Sequence, residues 1–128
     1  MLKKIMGAAA VAALGATLIG APAQANDAGV CSKAWSTYKA CAASAQWEDN
    51  NDSFYLYDNE ADGAGVRVLW SKNGVGQTPL HHNGGNGTYS RFQFSSPKGT
   101  IMQFQVCIEK NNVTPVETCS GKIVGTAG

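Results

Sequence analysis
Between Tyr57 and Val66 the chain reads Asp58-Asn59-Glu60-Ala61-Asp62-Gly63-Ala64-Gly65, with three carboxylates at alternate positions closed by glycines. Alternate oxygens followed by a glycine approximate the opening of a calcium loop, where they converge on one hard cation and the glycine permits a sharp turn. Two features depart from that pattern. The second ligand is Glu60 instead of Asp or Asn, and Leu69 stands where a bidentate Glu would complete the shell. Asp58, Glu60 and Asp62 are thus candidate calcium ligands, and calcium is the one cofactor to consider. The preferred alternative is a solvated hairpin turn, with Gly63 or Gly65 at positive φ.

His81-His82 is the other tempting pair. Neighbours on a strand point to opposite faces, so the two cannot chelate one ion together. As a general base, either would need a marked nucleophile. The chain has no Gly-x-Ser-x-Gly, His-Glu-x-x-His or Walker loop, and no catalytic-cysteine context. No catalytic residue is assigned, and a non-enzymatic role is expected. Trp35, Trp47, Trp70, Tyr38, Tyr55, Tyr57 and Tyr89 could build an aromatic platform for a sugar or a partner protein. Tyr55 and Tyr57 share one face of a strand, and Phe54 and Leu56 share the other. If the Phe54 face is core, Tyr55 and Tyr57 look outward and are candidate binding residues together with Trp70. In the reverse case they are core aromatics, which is the commoner arrangement.

The elements that must position these residues begin after a leader. Lys3 and Lys4 precede an apolar run, Ile5 to Gly20, and Ala23-Gln24-Ala25 supplies a small-x-small cleavage signal. Residues 1–25 are expected to be a secretory signal peptide, and 26–128 one extracellular domain without a membrane anchor. The Ala- and Gly-rich leader looks bacterial. The sequons at Asn51, Asn86 and Asn112 are accordingly read as chance matches. Past the leader, 8 Lys and Arg face 9 Asp and Glu. Nucleic acid is not an expected partner, since phosphate binding needs clustered cations. An extracellular protein or polysaccharide is.

Cys31, Cys41, Cys107 and Cys119 all follow the leader. An even count in a small secreted chain reads as disulfides, and the spacings do not suit zinc. Three pairings are possible. Cys31–Cys41 with Cys107–Cys119 is preferred, because Cys107 opposite Cys119 centres a hairpin in the polar stretch Asn111–Pro115. Val30 to Ala43 leans towards extended structure, and Gln46 to Ser53 reads as loop. Phe54–Tyr57 and Val66–Trp70 read as a central hairpin. Asn73-Gly74 marks a tight turn. Gln77–His81 reads as a short edge strand, because Pro79 cannot donate to a ladder. Thr88–Phe94 and Ile101–Ile108 alternate as strands, with Glu117–Val124 as the return partner of the latter. Six to seven short antiparallel strands and two disulfides predict an all-β, disulfide-braced sandwich, immunoglobulin- or fibronectin-like.

The stretch Tyr57-Asp58-x-Glu60-Ala61-Asp62-Gly63-x-Gly65-Val66, with the early Cys-x9-Cys and the late Val-Cys, resembles a group of small secreted actinomycete (Streptomyces-type) proteins of unassigned function. The likeness covers most of the mature chain and implies secretion without implying an activity. The expected function is extracellular, non-enzymatic binding. The alternative is inhibition of an extracellular hydrolase by a disulfide-braced loop such as Asn111–Cys119.

Overall fold
Alternation of large apolar and polar side chains sets the strands, and the two sheets close over the apolar set. The structure, a computed structural model, describes residues 27–128; the expected signal peptide lies outside them. In chain order the strands are β1 (Ala28–Cys31), β2 (Ala43–Glu48), β3 (Ser53–Asp58), β4 (Gly65–Lys72), β5 (Val75–Gly76), β6 (Leu80–His82), β7 (Tyr89–Gln93), β8 (Ile101–Glu109) and β9 (Ile123–Thr126). One four-stranded antiparallel sheet runs β1-β2-β3-β7. The other runs β9-β8-β4-β5, and β6 also pairs with β4. The fold is an all-β, disulfide-braced sandwich.

Phe54 and Leu56 from β3 meet Val66, Val68 and Trp70 from β4, and Met102, Phe104, Val106 and Ile108 from β8, in one buried core. Phe54 is the hub. Its ring makes edge contacts with Trp47, Trp70 and Phe104 at centroid distances of 4.8, 5.1 and 5.0 Å. Such edge-to-face geometry adds to the gain from burial alone. Both indole N–H groups inside this core find carbonyls: Trp47 Nε1 donates to Thr126 O (3.1 Å) and Trp70 Nε1 to Thr78 O (2.8 Å). The first of these ties the two sheets together.

Five expectations need correction. Val30–Ala43 is strand only at its two ends, with turns and an isolated Trp35–Tyr38 bridge between them, and the Gln77–His81 strand begins only at Leu80. Phe54–Tyr57 and Val66–Trp70 do not pair as a hairpin. β3 pairs with β2 and β7, and β4 pairs with β8, β5 and β6, so the acidic stretch crosses from one sheet to the other. Gln46–Ser53 is not all loop. Gln46, Trp47 and Glu48 complete β2, and Trp47 is fully buried because the alternation Ala43, Ala45, Trp47 aims it inward. The return partner of β8 is shifted to Ile123–Thr126, paired with Ile101–Phe104. Residues 116–118 form a 3-10 turn instead.

The disulfides are Cys31–Cys41 and Cys107–Cys119. The turn in the second loop is tighter than its composition implies. Lys110 and Val113 exchange backbone hydrogen bonds of 2.9 Å, and Asn111 (φ 53°) and Asn112 (φ 63°) both sit in the left-handed region. Asn tolerates that region, and two such residues make a primed two-residue turn. The segment beyond it lies against β8 through hydroxyls. Ile108 N–H donates to Thr118 Oγ1, and Val106 N–H to Ser120 Oγ, both at 3.0 Å.

Candidate functional site: a polar cleft at one end of the sandwich
The crossing link between β3 and β4, the β6–β7 loop and the β8 turn all reach the same end of the sandwich. Between them lies a cleft of about 630 Å³. Its wall is polar in the main: Asp58, Glu60 and Glu109, the amides of Asn83, Asn86, Asn111 and Asn112, the ammonium of Lys110, and bare backbone at Gly63, Gly65 and Gly85, with Ala61 and Ala64 as its apolar part. That volume falls within the range of small-molecule sites.

Asp58 ends β3 on the inward side and is 3% exposed. Its Oδ1 accepts one hydrogen bond, from Glu60 N–H at 3.3 Å. Oδ2 meets no donor among the described residues. Burial, above all, raises its carboxyl above the usual range; the charges of Asp62 and Glu60 act the same way, while the Glu60 N–H bond and the charge of His82 oppose. Glu109, the last residue of β8, is also buried. Its Oε1 is 2.7 Å from His81 Nδ1 and its Oε2 is 3.7 Å from the Arg67 guanidinium. Two basic groups thus fix one carboxylate at the cleft wall.

Close approach shapes the wall. A Cβ on Gly65 would overlap the Asn83 side chain and come within 2.6 Å of His82 O, so β4 starts with glycine because the β6–β7 loop lies directly on it. That loop is strapped from within. Thr88 Oγ1 donates its one proton to Gly85 O (2.6 Å), so it must accept from His82 Nε2–H (2.7 Å). In the neutral ring, Nδ1 is then left to accept from the Ser90 hydroxyl, 2.7 Å away. This hydroxyl–imidazole pair has the polarity of a nucleophile and its base. Neither residue faces the cleft, however. The ring is buried, and Ser90 stands opposite Leu56 in the sheet.

The three candidate calcium ligands are turned to separate partners. Asp58 caps Glu60 N–H, Asp62 Oδ1 accepts from Ala64 N–H at 2.9 Å, and Glu60 pairs with Lys39 at 3.8 Å. Among the described residues no group of three His, Cys, Asp or Glu side chains is arranged to hold a metal ion. Gly63 has the expected positive φ, 72°; Gly65 is required for space instead.

Tyr55 and Tyr57 lie on the outer face of the four-stranded sheet, since Phe54 and Leu56 take the core. Tyr89 joins them from β7, with ring centroids 5.9 Å from Tyr55 and 5.6 Å from Tyr57. Trp70 does not belong to this group; it is buried between Phe54 and Phe94. The tyrosines adjoin the cleft rim. Tyr57 precedes Asp58, Tyr89 follows Thr88, and the two rim strands are tied by Asp58 N–H to Thr88 O (3.0 Å) and Gly87 N–H to Asp58 O (2.7 Å).

Sequence reasoning missed the cleft residues Asn83, Asn86, Glu109, Lys110, Asn111 and Asn112. Each asparagine lies in a segment that reads as turn by composition, and turn chemistry masked the recurrence of amides in two separate loops. Among the described residues no helix is long and apolar enough to cross a membrane. The two disulfides place the chain in an oxidising, extracellular-type environment. Compared with known proteins, the chain matches no family model, no curated protein and no solved structure.

Proposed function
We propose that the chain is a secreted, non-enzymatic binding protein whose end cleft takes a hydroxyl-rich ligand, a segment of an extracellular polysaccharide. The observation that carries this reading is the cleft wall: four amides and three carboxylates gathered on glycine-bared backbone at one end of the sandwich. A sugar hydroxyl is one donor and an acceptor. An amide supplies both complements, and a carboxylate accepts from the hydroxyl proton. The outward tyrosines at the rim offer rings on which a sugar could lie beyond the cleft. The non-enzymatic part rests on the placing of His82 and Ser90 away from the cleft and on the pairing of Glu109 with His81 and Arg67.

The alternative, inhibition of a hydrolase by the 111–119 loop, has one observation in its favour. Val116 is 75% exposed on a segment held by a disulfide and by Thr118. Its 3-10 turn, however, is not the extended strand that a protease cleft accepts. Calorimetric titration with neutral oligosaccharides (cello-, chito-, xylo- and malto-hexaose) tests the first reading. Binding of one class, weakened at least about tenfold (1.4 kcal/mol) in Asn112→Ala, is expected. No binding across the panel, with stoichiometric loss of activity in a set of secreted proteases and amylases, would move the assignment to the inhibitor.

A further inference from the structure
Three Asn-Gly pairs occur in the chain, at Asn73-Gly74, Asn83-Gly84 and Asn86-Gly87, and all three asparagines are exposed. Asn followed by Gly is the pairing most open to cyclisation, because no side chain shields the following backbone nitrogen. The structure blocks two of the three. Asn73 sits in a tight turn with φ 47°, and its Oδ1 accepts Ile101 N–H at 2.8 Å, which holds the side-chain carbonyl away from Gly74 N. At Asn86 the attacking nitrogen itself is engaged, since Gly87 N–H donates to Asp58 O at 2.7 Å. At Asn83 neither restraint exists. Its side chain accepts and donates no hydrogen bond among the described residues, and Gly84 N–H has no acceptor there.

We propose that Asn83 is a site of spontaneous deamidation, by which the cleft wall acquires a fourth carboxylate. Gly84 N, on losing its proton, attacks Asn83 Cγ; the new C–N bond closes a five-membered succinimide, and the Cγ–Nδ2 bond breaks to release ammonia. Water then opens the ring at either carbonyl, leaving aspartate or isoaspartate at position 83. No oxidant or reductant takes part. The consequence is local. Asn83 lines the cleft beside Asp58, Glu60 and Glu109, with Lys110 as the cation among the lining residues. Isoaspartate also lengthens the backbone by one methylene where the Asn83 side chain lies directly over Gly65. Modification therefore changes both the charge and the shape of the wall.

The test is peptide mapping by mass spectrometry of the oxidised protein, held at mildly alkaline pH, folded and in parallel in concentrated urea. In the folded protein, position 83 is expected to convert several-fold faster than 73 or 86. In urea, where the Ile101 and Asp58 restraints vanish, the three rates should converge. Asn83→Gln, whose longer side chain would have to close a six-membered ring, should remove the fast conversion while the protein keeps a cooperative urea transition. Conversion at 73 or 86 as fast as at 83 in the folded protein overturns the proposal. So does a ranking among the three that is unchanged by urea.

Discussion

Gly65→Ala is the substitution that most sharply connects the fold to the cleft. The added Cβ would come within 2.6 Å of His82 O and would overlap the Asn83 side chain. A side-chain tip could turn away, but a backbone carbonyl in a paired strand residue cannot: Val66 and His82 are register partners. Overpacking of this kind costs about 1–3 kcal/mol, and Ala recovers about 0.5–1 kcal/mol of that by restricting the unfolded chain. Because the carbonyl cannot yield, the cost lies at the upper end, about 2–3 kcal/mol, and the net loss after about 1 kcal/mol of recovery is about 1–2 kcal/mol. With a urea m-value of about 1 kcal/mol/M for a domain of this size, the unfolding midpoint should fall by about 1–2 M. Gly76→Ala is the matched control. Nothing lies within 4 Å of its Cβ, and its φ is outside the left-handed region, so the midpoint should hold or rise slightly. Equilibrium urea unfolding of the two variants beside the parent decides the matter. A Gly65→Ala protein as stable as the parent, or a Gly76→Ala protein equally damaged, would refute the close approach of loop and strand on which the cleft wall depends.

The two disulfides should differ in worth although their loops are alike. Sequence separations of 10 and 12 give each about 3 kcal/mol in the chain-entropy model. Cys107 is fully buried whereas Cys31 and Cys41 are exposed, so replacing Cys107 and Cys119 by alanine should cost about 1 kcal/mol more than replacing the other pair; urea midpoints of the two double variants give the difference. The raised carboxyl of Asp58 has a definite sign. Its contribution to stability is present below the unfolded pKa of about 3.9 and is lost as pH rises through the folded value. Asp58→Asn keeps an acceptor for Glu60 N–H, so its stability relative to the parent should improve as pH rises from acid to neutral. A relative loss over that range in paired urea titrations would contradict this. Calcium and then excess EDTA should leave the melting temperature unchanged, since Asp58, Glu60 and Asp62 face separate partners; a calcium-dependent rise abolished by Asp62→Ala would show otherwise.

Much of the sandwich is legible in the sequence because it rests on local alternation. Met102, Phe104, Val106 and Ile108 share a face in the chain and share it in the core. The disulfide pairing follows from the same logic, with a correction of scale: the Asn111-Asn112 turn closes β8 sooner than the loop composition implies. What alternation does not carry is the partner. Phe54–Tyr57 and Val66–Trp70 present the same inward pattern whether they pair with each other or lie in facing sheets, so the acidic link reads equally well as a hairpin turn or a crossing. β2 escapes notice because Ala43 and Ala45 fill its inner face with small side chains, and Trp47 alone does not make a period. The outward turn of Tyr55 and Tyr57 depends on which face of β3 the opposite sheet covers, a tertiary fact. The cleft is harder still. Its residues come from three connections and the strand ends beside them, and each connection has a sufficient local explanation as a turn.

The most direct measurement is a titration of the ¹⁵N-labelled, oxidised protein with the hexaose that binds best in calorimetry, followed by amide chemical shifts. The largest changes are expected to cluster at Gly63, Gly65, Gly85, Asn86, Asn111 and Asn112, with smaller ones at Tyr57 and Tyr89, and Asn112→Ala should weaken them all together. Shifts confined to the Val113–Cys119 segment, or none with any oligosaccharide in the panel, would contradict this.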